Sequence, residues 1–141
     1  MPDSQIQVVV LGGINMDLVT VAERSPDAGE TVVGNRFLTY PGGKGANQAV
    51  AAARLEAQVT MVGCVGTDRR GDFLLAELDA AGVNHANVAK VDTSTGIALI
   101  TVDAEDVAWT FNQAFAADSV NNGAEEIGPE MKLGFDVVDS M

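Results

Sequence analysis

Apolar residues along this chain fall in short blocks separated by glycines and polar turns. The block at 6–11, rich in valine and closed by Gly12-Gly13, predicts a buried strand. Residues 31–40 set Val33, Phe37 and Leu38 among Asn35, Arg36 and Thr39, as a half-exposed strand does. After a glycine turn at 42–45, residues 46–55 carry six alanines or leucines and no breaker, which predicts a short helix. Residues 59–65 predict a second buried strand. A loop at 66–71 then leads to a helix over 72–81, with Phe73, Leu74, Leu78 and Ala81 on one side. Asp68 is placed to cap that helix, and Gly82 to close it in a left-handed conformation. Residues 87–91 and 96–102 read as strands, 103–106 as a polar turn, and 107–111 as the return strand of a hairpin. Residues 118–132 are polar and weakly periodic, one poor helix at most, and 135–138 open a further strand-like run. Strand–helix–strand order with short loops predicts an α/β fold: a mainly parallel, doubly wound sheet, with 31–40 and 96–111 as a separate β flap.

Composition narrows the function classes. At 141 residues the chain is one domain, and 47% hydrophobic content with mean hydropathy +0.15 argues against general disorder. No run approaches the ~18 apolar residues of a membrane span. The polar, acidic segment 1–5 is unlike a secretory signal, so a cytoplasmic protein is expected. Cys64 and His85 each stand alone, which excludes an internal disulfide and argues against zinc sites. No G-x-S-x-G turn presents a serine nucleophile. Net charge is −12, a field that repels nucleic acid and anionic lipid. From Asp103 onward nine acids face one base, Lys132. That excess reads as adaptation to high salt, or as an ordinary acidic surface.

Two phosphate-binding patterns are excluded. Gly43-Lys44-Gly45 lacks the spacing and hydroxyl of a Walker A loop, and neither glycine cluster gives G-x-G-x-x-G. What remains is a pair of polar clusters at strand ends. Asn15 and Asp17, at i and i+2, point the same way in extended backbone. Gly42-Gly43-Lys44-Gly45-Ala46-Asn47 sets small residues, a cation and an amide at a helix start. Glycines admit a ligand close to the backbone, and the helix dipole favours oxygen-rich groups. Together the clusters suit a polyol. The alternative is that Asn15 and Asp17 shape a turn and the glycines form an ordinary tight loop.

The segment Gly42-Gly43-Lys44-Gly45-Ala46-Asn47-Gln48-Ala49-Val50-Ala51-Ala52-Ala53-Arg54-Leu55 closely resembles the sugar site of the ribokinase-like (PfkB) carbohydrate kinases. Around it, Gly12-Gly13-Ile14-Asn15-Met16-Asp17, Gly29-Glu30-Thr31-Val32, Val62-Gly63-Cys64-Val65-Gly66-Thr67-Asp68 with Gly71, and Ser94-Thr95-Gly96-Ile97-Ala98 fall in the family's order. The resemblance implies a ribokinase-like α/β sheet, here incomplete, with a small β lid. It implies transfer of the γ-phosphoryl of ATP to a primary hydroxyl of ribose or a similar sugar, with Mg²⁺ assisting. By the same resemblance Asn15 and Asp17 bind sugar hydroxyls, and Gly42, Gly43, Lys44, Gly45 and Asn47 line the sugar from the helix side. Ala98 touches it from the lid. Lid strands in this family form dimer interfaces, which implies a homodimer with Trp109 and Phe111 between subunits; packing within one chain, or association through an open sheet edge, is the alternative. The family's Gly-Ala-Gly-Asp segment, which carries the catalytic base, does not occur here. ATP and Mg²⁺ ligands are therefore expected outside this chain, which holds sugar at most and assigns no catalytic residue. Two other readings remain: a non-catalytic sugar-binding or regulatory module, and a degraded remnant, favoured by Ala114-Phe115-Ala116 where a Gly-Ala-Asn run is expected. Glu56 stands where the family closes the helix with a small residue, a cost of ~1 kcal/mol if its backbone is left-handed.

Overall fold

Valine-rich segments flanked by glycine build the first layer. The computed structural model describes residues 6–104 and 108–113. In it β1 (Gln7–Leu11), β4 (Gln58–Gly66) and β5 (Asn84–Val91) form a parallel sheet in the order β1-β4-β5, with Val10 opposite Met61 and Leu11 opposite Val62. Alternate side chains of β1 and β4 (Val10, Val59, Met61 and Val65) meet Ala46 and Ala49 of α1 (Lys44–Arg54) and Leu74 and Leu78 of α2 (Arg69–Ala80) in one core. Leu74 is 1% exposed, and burying such a side chain contributes about 1.5–3 kcal/mol. Both helices lie on this one face. On the other, Val9 is 71% exposed, and the described residues form the incomplete α/β sheet that was expected. No helix among them is long and apolar enough to cross a membrane.

The two helices stop in the same way. Each ends in a Schellman turn: Glu56 and Ala57 donate to the carbonyls of Ala53 and Ala52, and Gly82 and Val83 to those of Asp79 and Leu78. The residue that turns left-handed is Gly82 in α2, at φ +77°, but Glu56 in α1, at φ +66°. Glutamate pays there the Cβ cost that glycine avoids. At its start α2 is capped by Asp68, whose Oδ1 accepts the Gly71 N–H at 2.9 Å. Lys90 pairs with Asp72 and ties the first turn of α2 to β5.

The second layer is a four-stranded sheet, order β3-β2-β6-β7, built from β2 (Asn15–Val21), β3 (Arg36–Gly42), β6 (Ile97–Val102) and β7 (Ala108–Gln113). It corrects the expected flap in two respects. Asn15 and Asp17 are extended, as expected, but they begin a separate strand, β2, which is an inner strand of this lid and was no part of the expected flap. The strand expected over 31–40 is β3, shifted to 36–42, while 31–35 is irregular and Val33 is 85% exposed. A strand forms where it has a partner: β2 is seven residues long, and its pairing with β3, Asn15 to Gly42 and Val21 to Arg36, leaves nothing for 31–35 to pair with. The β2–β6 pair is parallel, β2–β3 and β6–β7 antiparallel.

The expectations on residues 114–116, 118–132 and 135–138, and on the side chains of Trp109 and Phe111, lie outside the described residues. So does much of the charge: nine of the 20 acids, against one of the eight bases. The described fold is only mildly acidic.

Candidate functional site

Three residues, Gly12, Gly13 and Ile14, join β1 of the core to β2 of the lid, and the start of α1 is pressed against them. A Cβ on Gly43 would stand 2.5 Å from the Gly13 carbonyl oxygen, and one on Gly45 2.8 Å from the Gly12 backbone. The Ala46 N–H donates to that Gly13 carbonyl at 3.2 Å. Gly43, at φ +97°, is also the N-cap of α1. The absence of side chains at Gly12, Gly43 and Gly45 thus serves chain-to-chain contact at the lid's root, a use their spacing did not reveal. Side chains of Lys44 and Asn47 are exposed on the first turn of α1. Asn47 opens onto a cleft of about 390 Å³ between α1 and α2, beside Ile14, Pro41, Val50 and Leu74.

Across the lid, Tyr40, Asp17 and Ala98 are direct register partners on β3, β2 and β6, so their side chains share one face in a row. Ala98 is buried and Tyr40 half-exposed. Asn15 lies on the same face two residues away, opposite Gly42. The Asp17 carboxylate fills the space beside Gly42, where a Cβ would come within 2.3 Å of it. Asn15, Asp17, Gly42, Gly43 and Ala98 are therefore brought together, and Tyr40 joins them. Sequence reasoning missed Tyr40; the alternation from Asn15 to Val21, once read as a strand, would have pointed to its pairing partner.

Among the described residues the Asp17 carboxylate has no hydrogen-bond or ion-pair partner. Burial pushes its pKa up, with no bond to offset it. A half-buried carboxylate without donors is costly unless something outside supplies them. It accepts up to four hydrogen bonds, and the Asn15 amide both donates and accepts, a set suited to vicinal hydroxyls.

Glu30, from the Gly29-Glu30 pair, does something else. Its carboxylate takes two hydrogen bonds from Arg24 and the N–H of Asp27, at 2.9 Å. The Arg24 bond and then that backbone bond pull its pKa down to about 2. This clip pins the loop between β2 and β3, away from the Asp17 row.

No group of three or more His, Cys, Asp or Glu among the described residues is arranged to hold a metal ion. The cleft between α1 and α2 is lined by Ile14, Val50, Leu74 and Leu78 together with the polar Asn47, Arg54 and Glu77.

The sequence family described as "pfkB family carbohydrate kinase" matches residues 5–130. The ribokinase of Bacillus subtilis is 59% identical over 76 residues, 54% of this chain and 26% of its own length. That of Lactococcus lactis is 50% identical over 101 residues, 71% of this chain and 34% of its own. Among solved structures, the ribokinase of Cryptococcus neoformans in complex with ADP superposes with a TM-score of 0.70 at 32% identity, covering 77% of this chain and 35% of that one. The Arabidopsis thaliana ribokinase complexed with ribose and ATP does so with a TM-score of 0.67 at 34% identity, over 77% and 36%. The chain spans about a third of the length of these relatives. The core sheet, four-stranded lid and glycine-packed lid root are thus the corresponding part of a known fold, and the chain belongs to the pfkB family of carbohydrate kinases.

Proposed function

We propose that this chain is the sugar-holding part of a ribokinase, an enzyme that phosphorylates ribose or a close relative with ATP. The observation that carries the reading is the Asp17 carboxylate: half-buried, without donors, and aligned with Ala98 and Tyr40 on one lid face. Its two oxygens accept hydrogens from two sugar hydroxyls, and the Asn15 amide bonds a third oxygen. Gly42 and Gly43 keep the floor beside them flat, so the ring approaches the backbone. Lys44, Gly45 and Asn47 border the sugar from α1, and Ala98, having only a methyl, leaves room for the ring under the lid. ATP, when bound, supplies the phosphoryl group, with Mg²⁺ as its counterion; this chain's own residues hold the acceptor. An ATP donor accords with a cytoplasmic location, and the exposed Phe37 and Leu99 of the lid suit a homodimer formed through it.

Titration calorimetry of the 141-residue chain with ribose tests the reading. Saturable binding is expected, weakened at least about tenfold in Asp17→Ala, since a hydrogen bond to a charged group contributes about 1.5–3 kcal/mol. Binding of equal strength in both proteins refutes the assignment of Asp17.

A further inference from the structure

The lid has a second root, where β6 begins. Thr95, 1% exposed, precedes β6 and is the buried polar residue of the described chain. Its hydroxyl donates to Asp68 Oδ1 at 2.6 Å and accepts the Gly66 N–H at 3.0 Å, while its own N–H donates to Asp68 Oδ2 at 3.1 Å. Asp68 Oδ1 is shared with the Gly71 N–H, so one carboxylate caps α2 and grips Thr95 together. These bonds outweigh the cost of burial and hold the Asp68 pKa below the usual range. Gly66 and Gly71 make the grip geometrically feasible. A Cβ on Gly66 would lie 2.2 Å from the Thr93 carbonyl oxygen, and one on Gly71 2.2 Å from that of Gly66. The 93–95 loop therefore rests directly on the corner between β4 and α2.

From this point the lid's register follows. Gly96 accepts the Met16 N–H at 2.9 Å, and β6 then runs beside β2 with Ala98 against Asp17. We propose that Asp68 and Thr95 form a clasp that sets the height of β6, and so positions the Asp17–Ala98 row over the sugar. Neither residue is on that row. Both are positioning residues, acting on the ligand through the lid. The idea rests on the sugar-holding reading for its effect on affinity, but not for its effect on the lid.

The test separates capping from clasping. Asp68→Ser keeps an N-cap for α2 with a side chain too short to serve Thr95 as well. Thr95→Val keeps the shape and removes the hydroxyl, and Thr95→Ser keeps the hydroxyl. Amide hydrogen exchange of each 141-residue variant is the first readout. The clasp predicts that Thr95→Val and Asp68→Ser speed exchange about tenfold in β2 and β6, leave the β4 amides other than that of Gly66 at the wild-type rate, and that Thr95→Ser behaves as wild type. Ribose affinity is the second: about tenfold weaker in the first two variants and restored in Thr95→Ser. Unchanged lid exchange, or an equal loss of protection in β4, overturns the clasp. If Thr95→Val does not fold, Asp68→Ser decides alone. Should wild type fail to bind ribose, the sugar reading falls while the exchange data still judge the clasp.

Discussion

The core sheet and the lid sheet are made of similar residues and held by different means. In the core, alternate side chains of β1 and β4 disappear under two helices, and Met61, Val65 and Leu74 are almost wholly buried. In the lid, Phe37 is 65% and Leu99 48% exposed, and most of the described side chains of β2, β3 and β6 keep some contact with solvent. Strand pairing, two anchored roots and the packing of Met16, Leu18 and Ile97 onto the core hold the lid. The core resembles a foundation whose stability is burial. The lid keeps one carboxylate without partners at its centre, and such an arrangement is tolerable only where nearby burial is shallow.

Truncations in the two layers sharpen the contrast most. Leu74→Ala should lower unfolding stability by about 2–5 kcal/mol, the cost of a core cavity, while Leu99→Ala should stay within about 0.5 kcal/mol. Urea melts of the two variants measure both, and similar losses would mean that the lid has an interior of its own.

A smaller effect separates the lid's two carboxylates by pH. The Asp17 pKa is raised by burial, so its protonated form favours the fold: that contribution is fully present below the ordinary value of 3.8 and lost as pH rises through the raised one. Asp17→Asn should therefore melt slightly above wild type at pH 7, with the gap closing below pH ~4. Glu30 has the opposite sign. Its pKa of about 2 gives a contribution present above the ordinary 4.5 and lost as pH falls towards 2, so Glu30→Gln should melt lower than wild type at pH 7, with the gap closing only as pH nears 2. Thermal melts over that pH range read both, and a gap of the same sign for both variants would contradict the assignment.

The smallest change is at the helix ends. Glu56→Gly should raise stability by under about 1 kcal/mol by relieving the left-handed Cβ, whereas Gly82→Ala should lower it by a similar amount. Chemical denaturation of the pair measures this; a loss from Glu56→Gly would show that its side-chain contacts outweigh the backbone cost.

Much of the core was legible because its signals are local. Valine blocks bounded by glycine, an alanine-rich helix and an Asp68 cap each act within a few residues, and each appeared within a few positions of where it was expected. The departure at Glu56, legible as a residue out of place, coincides with a left-handed backbone. The lid was harder. Asn15 and Asp17 are poor strand formers, so they read as an extended strand end or a turn, not as the opening of an inner strand that runs on to Val21. Thr31, Val32 and Val33 have strong strand propensity and form none, because pairing is decided by partners distant in sequence. The chemistry of the site was visible as residue types. That Gly43 and Gly45 answer to Gly12 and Gly13, and Asp68 to Thr95, depends on contacts that only the folded chain brings about.

The row of Tyr40, Asp17 and Ala98 spans three strands, with one side chain from each. On the sugar-holding reading proposed above, a replacement at Tyr40 would alter one edge of the ring and a replacement at Ala98 another. Such a layout would let selection retune which sugar is accepted in small steps, while the fold that carries the row is inherited unchanged.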